Sequence, residues 1–172
     1  MSTITQPART ARAVPFSLVL LIYLSTAIAP SLAGAAIAPG RGIGGVEIGN
    51  DMRHVREAFG KPARVVPPTW RYDRPLHGGV RFNHGRRVND IWTRSRRQRT
   101  PKGIGPGSSM RDARQAYPKL RCRSHSTLKV SCLLNPRERR THIATAFLFR
   151  RHRLSAVDIF LVPQRGGKPV PK

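Results

Sequence analysis

Hydrophobic and polar positions fall into three kinds of pattern along this chain. The first is a mainly apolar, uncharged run, Phe16 to Leu24, with Arg9 and Arg12 before it as the only charged residues among the first forty. Small residues follow at Ser31, Ala33 and Ala35. A basic start, a short apolar run and small-x-small positions predict a secretory signal peptide over residues 1–35, forming an N-terminal signal helix. An uncleaved membrane anchor is the alternative, because the uncharged stretch from Ala13 to Gly40 is long enough to span a bilayer. Pro15, Pro30 and the Ala/Gly-rich end dilute it.

The second pattern has helical spacing and occurs twice. Gly45-Val46-Glu47-Ile48-Gly49-Asn50-Asp51-Met52-Arg53-His54-Val55-Arg56-Glu57-Ala58-Phe59-Gly60 is echoed 58 residues later, from Gly103 to Pro118. Met52, Val55 and Phe59, and likewise Met110, Ala113 and Tyr117, fall at i, i+3 and i+7 on one face of a short helix. Asn50, and Ser108 or Ser109, are placed to cap the helix starts. Gly60 and Pro118 end the helices, with Pro62 reinforcing the first stop.

The third pattern is strand-like and again occurs twice. Gly79–Asn83 and Val88–Trp92 flank a turn at 84–87; Ile143–Phe149 and Leu154–Val162 flank a turn at 150–153. Asp90-Ile91-Trp92 matches Asp158-Ile159-Phe160 at an offset of 68. The expectation is an α+β protein of two tandem repeats, each a short helix followed by an antiparallel meander, packed as one unit. Residues 36–100 form the first repeat with a basic linker, 101–163 the second, and the Gly/Pro-rich residues 164–172 a disordered tail.

This repeat, from its Gly-containing helix start to the apolar strand that ends its hairpin, resembles the beta-lactamase-inhibitor-protein-like (BLIP-like) repeat. Small outer-membrane-assembly lipoproteins of the SmpA/OmlA type share that unit. The resemblance covers about residues 41–162 and implies a secreted or periplasmic protein that binds protein through a sheet face, not an enzyme. The chain departs from the lipoproteins in having no Cys at the end of its leader, and from the inhibitors in being far more basic.

Charge sharpens the choice of partner. The 172 residues carry a net charge of +24, with 32 Lys and Arg against 8 acids. Removing residues 1–35 takes away two Arg and no acid, leaving +22 over 137 residues. Such imbalance attracts polyanions. The candidate anion-binding residues are Arg86 and Arg87; Arg94, Arg96, Arg97 and Arg99; and Arg150, Arg151 and Arg153, with a further cluster at Arg137, Arg139 and Arg140. Their guanidinium forks suit phosphate and carboxylate. The competing account is that these are solvated turn residues in an Arg-biased composition. If the halves are symmetric, turns 84–87 and 150–153 should share one rim.

Cys122 and Cys132 are the only cysteines, and an even count in an exported chain predicts a disulfide across a hairpin. No metal, cofactor or catalytic constellation is expected. The six His lack ligand spacing, and the Gly-rich stretches lack a Walker Lys-Ser/Thr. Asp90 and Asp158 are expected to face solvent or pair with Arg. The reading is therefore an exported, non-catalytic binding module for a protein or an anionic surface polymer. A nucleic-acid-binding protein and an exported hydrolase are the alternatives. Contact with a membrane is expected only through an uncleaved leader.

Overall fold

The computed structural model describes residues 37–134 and 142–162. The predicted signal helix, the 137–140 arginines and the predicted tail lie outside these residues. Among the described residues, no helix is long and apolar enough to cross a membrane.

Helix α1, Met52–Phe59, begins where the Asp51 carboxylate accepts the His54 amide at 2.9 Å, and ends at Gly60 with φ 76°. That amide bond holds the Asp51 carboxyl below its usual range. Helix α2, Met110–Ala116, starts with a reciprocal capping box between Ser109 and Asp112. Asn50 caps neither helix; its side chain accepts the Glu47 amide.

The strands are β1 Ile37–Ala38, β2 Gly42–Ile43, β3 Val46–Glu47, β4 Arg64–Val66, β5 Thr69–Tyr72, β6 Gly78–Phe82, β7 Val88–Thr93, β8 Arg121–Ser126, β9 Lys129–Leu134, β10 Ile143–Arg150 and β11 Arg153–Leu161. β1–β3 form a small sheet, and the other eight form one antiparallel sheet in the order β4-β5-β6-β7-β11-β10-β9-β8.

The α+β expectation is thereby corrected. Eleven strands stand against two helices of eight and seven residues, so the described protein is mainly β. The physical reason lies in stretches where periodicity is silent. Arg64–Val66 and Thr69–Tyr72 are short and interrupted by prolines, yet they extend the sheet outward from β6. Residues 37–47 fold back as a second, three-stranded sheet.

One face of the large sheet carries the core. Val80, Ile91, Phe147, Val157 and Ile159 are fully buried there, with Val55 and Phe59 of α1 and Ala113 of α2. Phe59 meets Tyr72 and Trp70 meets Phe82 edge to face, while Tyr117 tilts against Phe147 at 5.5 Å.

The contacts on either side of the β7–β11 junction match. Gly49 and Asn50 bracket Val88 through two backbone bonds, as Gly107 and Ser108 bracket Leu154. The bridge Asp51↔Arg87 corresponds to Ser109↔Arg153. Each hairpin carries one extra residue at the same place, Asn89 in β7 and Ser155 in β11. These bulges set the structural offset between β7 and β11 at 66 residues. The sequence match of Asp90 with Asp158, at 68, is therefore two residues out of step. Asp90 corresponds in place to Ala156, and Trp92 to Asp158.

Candidate functional site on the open sheet face

Side chains alternate across the sheet, so residues opposite the core lie on its other face. Across the central junction, Asp90 pairs with Phe160 and Trp92 with Asp158. Alternation puts all four on this face as a checkerboard of two carboxyls and two aromatics.

Asp90 and Asp158 are diagonal neighbours and hydrogen-bond one another. Burial, then that hydrogen bond and the negative charge of Asp90, push the Asp158 carboxyl up to about 8, against an opposing pull from Arg81. The pair holds a proton at neutral pH because two adjacent, poorly hydrated carboxylates cannot both ionise cheaply. The Arg81 guanidinium sits 3.5 Å from Asp90. Oδ1 of each aspartate remains buried without a hydrogen-bond partner.

Trp92 lies over Gly79, its register partner on β6. A Cβ at Gly79 would come within 2.5 Å of the indole, so only glycine admits the ring at this height. Arg71 packs over the same ring at 5.6 Å, a cation–π contact. Around Trp92, Asp90 and Asp158 the surface forms a depression of ~260 Å³, walled by Arg71, Arg81 and Arg94.

The nine predicted arginines separate into two groups. β7 and β11 run antiparallel, so the chain leaving β7 emerges beside the β10–β11 turn. Arg94, Arg96 and Arg99 from the first segment thereby meet Arg150 and Arg153 around a cavity of ~580 Å³. Pro106, Gly107, Leu154 and Ser155 complete the lining, which holds no carboxylate. Arg96 and Arg97 also line a neighbouring depression of ~610 Å³ with Arg71, His77 and Trp92. A third, more apolar hollow of ~540 Å³ lies toward Lys129, Leu148 and Arg150. Arg94 borders all four, so they adjoin one another around that side chain.

The same antiparallel pairing puts Arg86 and Arg87, in the β6–β7 turn, at the opposite end of the sheet. The expected single rim does not exist. Arg87 and Arg153 also have local partners: their guanidiniums donate to the carbonyls of Gly49 and Gly107, at 3.5 and 3.3 Å. Arg99 donates to Gly105 O and Ser108 Oγ, and Arg86 Nε to Met52 Sδ. Arg151 sits in the β10–β11 turn at φ 48°.

Sequence reasoning missed the checkerboard and the parts of Arg71, Arg81 and Trp92 in it. The signal that could have found it is the Asp-Ile-aromatic match itself, which places carboxyl and ring on the same side of each strand. Among the described residues, no group of His, Cys, Asp and Glu could hold a metal ion. Cys122 and Cys132 are directly opposed in the β8–β9 ladder and form a disulfide.

No family model and no curated protein matches this chain. Among solved structures, a DUF4309-family protein from Bacillus subtilis is similar over 76% of this chain and 91% of its own, at 14% identity and a TM-score of 0.53. That likeness concerns the fold alone. An extracellular SCP-domain protein from Bacillus anthracis is matched over 66% of this chain at 15% identity and a TM-score of 0.47; the chain spans 43% of that protein. Neither similarity bears on the BLIP-like resemblance.

Proposed function

We propose that this protein is an exported, non-catalytic binding module that takes an anionic polymer along the basic side of its open sheet face. The observation that carries the reading is the convergence of Arg94, Arg96, Arg99, Arg150 and Arg153 around one cavity without a carboxylate. These residues come from two segments about fifty positions apart, and such like charge gathered in one concavity is costly unless an anion neutralises it. The adjacency of the four depressions around Arg94 favours an extended ligand over a single small anion. Export is supported by the disulfide together with the leader-like pattern of residues 1–35.

Binding of inorganic polyphosphate, measured calorimetrically over a salt series, tests this. Polyphosphate should bind, and its affinity should fall linearly on a log–log plot. Replacing both Arg96 and Arg150 with Ala should lower the slope by about two, one for each phosphate no longer neutralised. Salt-independent binding, or no binding at low salt, would overturn the reading.

A further inference from the structure

The arginine cavity accounts for charge but not for the aromatic and acidic floor beside it. Trp92, Asp90 and Asp158 face the ~260 Å³ depression, with Arg71, Arg81 and Arg94 around them. Carboxyls on the floor of a basic groove oppose a phosphate backbone. They suit a ligand that brings hydroxyl donors, because carboxyl oxygens lining a depression accept such hydrogen bonds. The Trp92 indole lies close over Gly79 and contributes apolar surface to the lining of the depression. An apolar ring face, hydroxyl groups and an anionic substituent on one unit describe an acidic sugar.

We infer that the depression between Trp92 and Asp158 is a subsite for one uronic-acid ring of an acidic polysaccharide. In it the indole carries the ring's C–H face, the aspartates accept its hydroxyls, and Arg71 or Arg94 binds its carboxylate. This inference rests on the proposed polymer-binding reading and names the polymer. The geometry favours holding the sugar over cutting it. Glycosidic cleavage needs its two carboxyls roughly 5 Å or more apart, with substrate or water between them. Asp90 and Asp158 instead hydrogen-bond each other.

The chain has two tryptophans, and Trp70 is buried in the core. A Trp70→Phe variant therefore makes Trp92 the sole indole reporter. Titration with a hexamer of α-1,4-galacturonic acid should change Trp92 emission, whereas the neutral methyl ester should bind far more weakly. Arg71→Ala, at an exposed position, should weaken hexamer binding about tenfold, the scale of one charge-assisted hydrogen bond. The same substitution should weaken polyphosphate binding less than it weakens the hexamer, since Arg71 does not line the five-arginine cavity. Asp158→Asn, checked for folding by circular dichroism, should also weaken the hexamer and spare polyphosphate. If polyphosphate binds and the hexamer does not, the subsite is wrong and the binding module stands. If neither binds, both readings fall. A single-stranded oligonucleotide that shifts Trp92 emission more strongly than the hexamer at equal salt would overturn the sugar assignment in favour of base stacking.

Discussion

Arg87 and Arg153, 66 residues apart, do the same local work. Each follows a hairpin turn, bridges the N-cap residue of a helix, and donates to the carbonyl of a left-handed glycine just before that helix. Arg153→Ala should therefore lower stability by about 1 kcal/mol, the net value of one such hydrogen bond. Arg151→Ala, in the same turn without that bond, should be close to neutral. Urea unfolding midpoints of the two variants decide this. Equal effects would show that the pairing contributes nothing to stability.

What could be read from the sequence was local. Ser109, Gly60 and the Met-x-x-Val/Ala spacing set out both helices, although the first is capped by Asp51 and not by the expected Asn50, and β6, β7, β10 and β11 follow from apolar runs around Gly- or Arg-containing turns. The disulfide followed from the cysteine count. β4 and β5 stayed hidden because Pro62, Pro67 and Pro68 break the run and Arg64 and Arg71 interrupt its apolarity, while pairing to β6 overrides those weak propensities. The convergence of Arg94–Arg99 with Arg150–Arg153 was not legible, because it depends on the direction in which β7 meets β11. The carboxyl pair needed the register as well: a two-residue slip keeps both aspartates on one face but makes them diagonal neighbours.

The Asp158 carboxyl gives stability a defined pH dependence. Its pKa is raised on folding, from 3.8 to about 8. The native state then holds a proton that the unfolded chain has released, so stability is fully present below about pH 4 from this group and declines as pH rises to 8. Asp158→Asn should flatten that decline and make the variant relatively more stable at pH 9 than at pH 5. Chemical denaturation at the two pH values measures it, and parallel curves for both proteins would refute the raised pKa.

Gly79→Ala should be costly although it adds one methyl group. The new Cβ would meet Trp92 at 2.5 Å and the Trp70 carbonyl oxygen at 2.8 Å. Overpacking of this kind costs about 1–3 kcal/mol. In the Trp70→Phe background, the Trp92 emission maximum should also move as the ring is displaced. An unshifted spectrum with an unchanged melting temperature would contradict the close approach.

Reduction of Cys122–Cys132 should destabilise the protein by about 2–3 kcal/mol on the chain-entropy account of a short loop. The effect should concentrate in β8, an edge strand whose residues are nearly all exposed. Hydrogen exchange with and without reductant should show β8 amides losing protection before those of β10. Uniform loss across the sheet would argue against a local role.

The β7–β11 junction has one more consequence. Asp90 and Trp92 come from one half of the large sheet, Asp158 and Phe160 from the other, and neither half alone carries the checkerboard. A ligand of the proposed subsite would straddle the seam, and so would bind only chains in which both halves have folded and joined. By mass action, occupancy there resists separation of the two halves. The central seam of the sheet is then a point of thermodynamic linkage, at which recognition and the integrity of the whole sheet rise and fall together.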